Sequence, residues 1–264
     1  MKRNPHFEIT TQIGCRVNCL KYCPQEIINK TYEGERVLSL ENFHRMIQDI
    51  PEDVTIIFSG LSEPFLNPQT PRMILEAAIK GHPISVFSTL TGLSSQAASA
   101  ISHIPFERFT LHLPDSYGVS DIPYTDDYSE SLNIILRNVE RIYYMNMGYG
   151  FKSDRSEERV RGKYIQKMRW TPYCDHHEHP DLFALPNGDV YFCCQTRGQS
   201  NRLGNIYEES YQSLLAKHRS MSKVMRQYPD SICYRCSLAS PAFMYPVKKL
   251  LGESLINIGK RYFL

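Results

Sequence analysis

The 264-residue sequence predicts an α/β fold, a parallel array of strands and helices followed by a small cysteine-rich module. Three observations predict it. Strand-like and helix-like stretches alternate from Phe7 to Met147, the pattern of successive β–α–β units. Residues 54–59 form a near-continuous apolar run, as a strand buried on both faces does. The eight cysteines avoid positions 24 to 173, standing at 15, 19 and 23 and then at 174, 193, 194, 233 and 236.

The elements follow in order. Phe7 to Thr11 reads as a short strand that runs straight into the first cysteines. Ser39 is an N-cap, followed by Phe43, Met46, Ile47 and Ile50 at helical spacing, and Pro51 closes that helix. After the 54–59 strand, Asn67-Pro68 opens a helix with Ile74, Ala77 and Ala78 turned inward and Gly81 as its stop. Ile84 to Leu90 is a strand, and Ser94 caps a helix carrying Ala97, Ala98 and Ile101. Phe109 to Leu113 is a strand. A long helix then places Leu132, Ile135, Leu136, Val139 and Ile142 on one face, and Tyr143 to Met147 is a fifth strand.

This alternation fits an open sheet or a barrel. In both, ligands bind beyond the carboxyl ends of the strands. The first cysteine loop, Gly60 to Pro64, Ser88 to Gly92 and His112 to Ser116 all follow strands there and are expected to converge on one pocket.

From Trp170 the composition changes, with aromatic residues, prolines and histidines crowded around Cys174. Leu182–Leu185, the turn Pro186-Asn187-Gly188 and Val190–Cys194 read as a hairpin, Asn-Gly being its turn signal. A helix with Tyr211, Leu214, Leu215 and Met221 leads to Cys233 and Cys236. The core of this module is thin, so a bound metal is expected to staple it. The mixed-sign run from Asp154 to Lys163 reads as a solvated face. Val247 to Leu264 reads as an amphipathic helix packing back on the body, with a partner or membrane-surface role as the alternative.

Hydrophobic residues make up 42% of the chain, enough for a real core, and a net charge of +2 gives no basic footprint for nucleic acid. Met1 to Pro5 leads into a strand, so no signal peptide is expected, and no apolar run is long enough to span a membrane. A cytoplasmic location follows, where cysteines serve metals more often than disulfides. Three cysteines within nine residues, Cys15, Cys19 and Cys23, can bring three thiolates to one point. Three thiolates bind three irons of a [4Fe–4S] cluster and leave the fourth without a protein ligand. A three-cysteine zinc site or buried thiols are the alternatives.

With these pieces placed, the chain resembles the radical S-adenosylmethionine (radical SAM) enzymes, and among them those with a C-terminal twitch or SPASM iron–sulfur module. Cys15-x3-Cys19-x3-Cys23, with Tyr22 before the third cysteine, is similar to the family's C-x3-C-x2-C motif with one extra residue in the second gap. Residues 58–68, FSGLSEPFLNP, are similar to its G-x-G-E-P-L-L-N-P segment, with Ser62 in place of the second glycine. Cys174-x13-Gly188-x4-Cys193, then Cys233-x2-Cys236, is similar to the auxiliary-cluster pattern.

The resemblance implies a partial (β/α)6-type barrel over 1–165, an auxiliary-cluster module over 166–243 and a C-terminal helix over 244–264. It implies two [4Fe–4S] clusters, one on Cys15, Cys19 and Cys23 and one on Cys174, Cys193, Cys233 and Cys236, with Cys194 spare. Structural zinc is the rival at the second site. His176, His177 and His179 are not assigned as ligands. S-adenosylmethionine would be contacted by Tyr22, Gly60, Leu61, Ser62 and Glu63, the carbonyls of 60–62 and the Glu63 carboxylate holding its ammonium. Ser88, Thr89, His112 and Asp115 are the candidate ribose contacts.

The activity implied is radical hydrogen abstraction, oxidising or epimerising a small polyol, sugar or pathway intermediate, with electrons from a flavodoxin or ferredoxin. No residue is assigned as general base. The alternatives are a peptide-modifying maturase and a non-enzymatic zinc-stapled module. Only 14 residues precede Cys15, which leaves no leader-recognition domain there and counts against the peptide reading.

Overall fold

The computed structural model describes residues 4–17, 25–113, 121–146, 169–174, 179, 181–194, 200–236 and 239–246. Cys19, Tyr22, Cys23, Asp115, His176, His177, the charged run from Asp154 and the C-terminal helix from Val247 lie outside the described residues.

Five parallel strands stand side by side: β1 (His6–Ile9), β2 (Thr55–Phe58), β3 (Ile84–Ser88), β4 (Arg108–Leu113) and β5 (Ile142–Asn146). Helices α1 (Gln25–Thr31) and α2 (Leu40–Ile47) lie between β1 and β2; α3 (Thr70–Ile79), α4 (Ser95–Ile101) and α5 (Asp126–Asn138) link the later strands. The predicted hairpin is present as β7 (Leu182–Ala184) and β8 (Asp189–Tyr191), after the short β6 (Pro172–Tyr173). It does not stand apart. β7 pairs in parallel with the free side of β1, and β9 (Arg202–Asn205) extends the sheet, giving the order β5-β4-β3-β2-β1-β7-β8-β9. The sixth parallel strand therefore flanks β1 rather than β5. Helix α6 (Tyr211–Gln227) follows, and a last strand, β10 (Ser240–Pro241), pairs with β6.

Alternation of side chains across the strands assigns the two faces. Phe7, Ile9, Ile56, Phe58, Ile84, Val86, Phe109, Leu111, Leu182, Ala184 and Val190 point one way, into a single core with the apolar stripes of α2 to α6. Burying each such side chain stabilises the fold by roughly 1.5–3 kcal/mol. The other face is mixed: Glu8, Ile57, Ser85 and Arg108 are neighbours across four strands, and Phe183 and Tyr191 continue the row past β1. β2 is buried at every position, as its unbroken apolar run requires, and so are the shorter β7 and β10. Helix α1, missed in the sequence, covers part of the mixed face. Its Ile28 and the following Tyr32 pack with Ile13, Leu61, Phe183, Leu185 and Tyr191.

The predicted caps are in place: Ser39 and Ser94 accept hydrogen bonds from the amides of Asn42 and Ala97. Two helix predictions need correction. Helix α3 begins at Thr70, not after Asn67-Pro68, because Pro64–Leu66 first forms a 3-10 turn and Asn67 ends it in extended conformation. Helix α5 stops at Asn138, and Ile142 belongs to β5. Its inward stripe is Tyr128, Ser131 and Ile135, while Leu136 is 43% exposed. The hydroxyl of Ser131 fits that stripe by donating to the Leu93 carbonyl, which apolar periodicity cannot reveal.

The hairpin turn is locked to the segment after α1. The Asn187 amide donates to the Tyr32 hydroxyl, its side chain donates to the Glu33 carbonyl, and Asn205 donates to the Asn187 carbonyl. Gly188 has φ +84°, and a Cβ there would lie 2.3 Å from the Tyr207 ring and 2.5 Å from Asn205 Oδ1. Gly188→Ala is therefore expected to lower unfolding stability by about 3 kcal/mol, from left-handed strain plus overlap. Chemical denaturation should show the midpoint falling with an unchanged slope.

Candidate functional site

The site is built where β1, β2 and β7 end. Beyond β1, the Thr10 amide donates to the Ala184 carbonyl of β7. Thr11 and Thr70 hydroxyls gather on the Pro64 carbonyl, and the Asn67 side-chain amide donates to the carbonyls of both Thr11 and Leu38. The stem of the cysteine loop is thus fixed from two sides. Gly14 then turns the chain with φ +97°, and half-buried Cys15 follows.

Beyond β2 the chain comes hard against β1. Gly60 has φ +95°, and a Cβ there would lie 2.0 Å from Thr10 Oγ1, so only glycine fits. The Leu61 amide donates to that same Thr10 Oγ1 at 3.1 Å. Ser62 Oγ is buried with no hydrogen-bond partner among the described residues.

Glu63 is 6% exposed, and its carboxylate accepts four hydrogen bonds. Phe65 N and Ser88 Oγ reach Oε1 at 3.2 and 2.6 Å; Thr89 N and Thr89 Oγ1 reach Oε2, both at 2.7 Å. Burial pushes its carboxyl above the ordinary range, and these hydrogen bonds pull it back. Glu63 and Ser88 thus hold one another and tie the loop after β2 to the loop after β3. His112 lies on the mixed face, edge-on to Phe87.

A cavity partly open to solvent lies between the two halves, lined by Glu8, Thr10, Gly60, Leu61, Phe183, Leu185, Tyr191, Cys193 and Cys194. Glu8 was missed in the sequence. Its Oε1 stands 3.5 Å from where a Gly60 Cβ would be, so the carboxylate lies over the Gly60 backbone. The signal was available, because an acid between Phe7 and Ile9 in a strand must point to the opposite face. Cys193 packs against the main core and Cys194 against the cluster around Leu61, so the adjacent pair does diverge as expected.

In the C-terminal module, Cys174 directly follows β6, which touches the 3-10 helix Ser231–Arg235 carrying Cys233. Cys236 caps that helix, its amide donating to the Cys233 carbonyl. Burial, then the neighbouring Cys236, push the Cys233 thiol up to about 11. Adjacent buried thiols resist becoming thiolates, and a bound metal is what reverses that. Among the described residues, no three His, Cys, Asp or Glu side chains already stand together as a metal site. The four cysteines fit a cluster by donor type, and their turns must close around it to bind it. At the first loop, Cys15 is tied through Gln25 to Leu61, the neighbour of Ser62, whose buried Oγ has no partner among the described residues; a thiolate and a free hydroxyl on these two loops fit a metal with a polar ligand.

Residues 174–237 match the SPASM family, described as an iron–sulfur cluster-binding domain. Among solved structures, the chain is similar to BtrN in complex with AdoMet (S-adenosylmethionine) and 2-DOIA. Identity is 14%, covering 89% of this chain and 94% of that one, with a TM-score of 0.67. BtrN in an open conformation is similar at 13% identity, 92% and 99% coverage and a TM-score of 0.60. A third likeness is to anSMEcpe with bound AdoMet and the Cp18Cys peptide, at 14% identity, 84% of each chain and a TM-score of 0.57. The chain has the radical SAM fold, with a SPASM module in its C-terminal part. No curated protein matches the sequence at a significant level.

The radical SAM fold gives the Glu63 network a clear stability signature. In Glu63→Gln, the amide NH2 must face donors already directed at it, leaving at least one buried N–H or O–H without an acceptor. A loss of roughly 2–3 kcal/mol is expected, read as a lower denaturant midpoint.

Proposed function

We propose that this protein is a radical SAM enzyme that cleaves AdoMet reductively and abstracts hydrogen from a C–H bond of a small polyol, sugar or aminocyclitol. The observation that carries this reading is the contact of Thr10, where β1 leads into the Cys15 loop, with the Gly60–Leu61 loop, beside a cavity that also reaches Cys193 and Cys194. Cys15, Cys19 and Cys23 would hold the first [4Fe–4S] cluster, and Cys174, Cys193, Cys233 and Cys236 the auxiliary one. When bound, the first cluster and AdoMet supply one-electron cleavage to methionine and a 5′-deoxyadenosyl radical that takes the hydrogen atom. A flavodoxin or ferredoxin would deliver the electron.

The chain's own groups supply alignment and dryness. The backbone at Gly60 and the buried Ser62 hydroxyl belong to the loop bonded to Thr10 at the stem of the cysteine loop, and they are assigned to the polar end of AdoMet. Tyr22, His112 and Asp115 remain candidates for its outer contacts. Phe183, Leu185 and Tyr191 wall the cavity with apolar surface that excludes water, and Glu8 offers one carboxylate to a hydroxyl or ammonium. The overall likeness to BtrN, whose structure holds 2-DOIA, supports starting with aminocyclitols. The peptide held by anSMEcpe makes a peptide substrate the competing outcome of the same assay.

Anaerobic reconstitution should load roughly eight irons per chain, and four or fewer, or zinc in their place, would refute two clusters. With AdoMet and dithionite the loaded protein should form 5′-deoxyadenosine. Cys23→Ala should abolish that product, whereas Cys194→Ser should retain most of it. Absence of 5′-deoxyadenosine from the intact two-cluster protein would refute the assignment. Deuterium transfer into it from labelled 2-DOIA, or from labelled Cp18Cys peptide, distinguishes the substrate classes.

A further inference from the structure

Gln25, the first residue of α1, reaches across the floor of the site. Its Oε1 accepts the amide of Cys15 at 3.2 Å, and its Nε2 donates to the Leu61 carbonyl at 2.5 Å. The orientation is chemically fixed, because a backbone N–H can only donate and a carbonyl can only accept. A carboxamide of this length satisfies both; a carboxylate, an ammonium or a hydrocarbon does not. Gln25 is also held firmly from behind. Residues 25, 28 and 32 share one side of the helix, and Ile28 and Tyr32 are buried against Leu61, Phe183, Leu185 and Tyr191. The strap is therefore anchored on a packed element, and Leu61 is gripped twice, by Thr10 at its amide and by Gln25 at its carbonyl.

We infer that Gln25 is a positioning residue that holds the Cys15 loop and the Gly60–Leu61 loop in register, and so sets the affinity for AdoMet at the first cluster. The inference rests on the function proposed above. Removing the donor leaves the Leu61 carbonyl facing the wrong partner and frees the loop to shift. The Cys15 arm of the strap acts separately, on the entry to the cysteine loop.

The test uses anaerobically reconstituted wild-type, Gln25→Glu and Gln25→Leu proteins. AdoMet affinity is measured by calorimetric titration, iron is counted, and the spin-resonance change of the reduced cluster is recorded on adding AdoMet. Gln25→Glu keeps an acceptor for Cys15 N–H but opposes a carboxylate to the Leu61 carbonyl. It should load iron like the wild type and bind AdoMet about tenfold more weakly, with a diminished spectral change. Gln25→Leu lacks both arms and should load less iron as well as bind AdoMet weakly.

Wild-type affinity in Gln25→Glu would overturn the inference. So would iron loading in Gln25→Glu as low as in Gln25→Leu, since that marks a packing defect rather than a lost donor. If the wild type itself forms two clusters and binds no AdoMet, the functional reading falls and the role of Gln25 falls with it.

Discussion

The close approach of the loop after β2 to the strand end of β1 is the constraint on which the site depends. Gly60 lies so near Thr10 that no side chain can come between them, and the Thr10 hydroxyl then takes the next amide. That contact places backbone rather than side chain at the mouth of the cavity. A ligand there meets peptide groups held by the fold, whose positions do not depend on a flexible rotamer. The same contact brings the chain after β2 within reach of Gln25 and of the residues entering the cysteine loop.

The buried Glu63 carboxylate performs the complementary task one residue further on. Removing a charge from water is costly unless hydrogen bonds replace the lost hydration, and here four donors from three residues do so. The network joins the loops after β2 and β3, and the Tyr128 hydroxyl extends it by donating to the Thr89 carbonyl. The acid thereby fixes the loop after β2 against the loop after β3. The carboxylate that does line the cavity, Glu8, comes from the strand itself.

Much of this architecture was legible in the residues. Caps such as Ser39 and Ser94, the apolar run of β2, and the Asn-Gly hairpin turn are local signals, and local physics decides them. The start of α3 was misplaced because Asn67 is held by two distant carbonyls, Thr11 and Leu38, that no window of neighbouring residues contains. The end of α5 was misplaced because apolar residues ran on into β5. In the site, the sequence pattern marks the loops after β2 and β3 but not the bonds that join them: buried Glu63 and Ser88 turn toward one another, and the cross-chain reach of Gln25 has no sequence signature because its two partners are backbone atoms.

The union of β7 with β1 has a consequence for how the molecule is put together. The cysteine-rich part is not an appendage on a hinge; its first hairpin strand is an inner member of the main sheet, sixth from one edge and third from the other. Excising it would strip β1 of a hydrogen-bonded neighbour and bare an aggregation-prone border in the middle of the molecule. The two parts are thereby committed to fold as one cooperative unit, and a graft of either onto a foreign scaffold would have to carry a strand of the other.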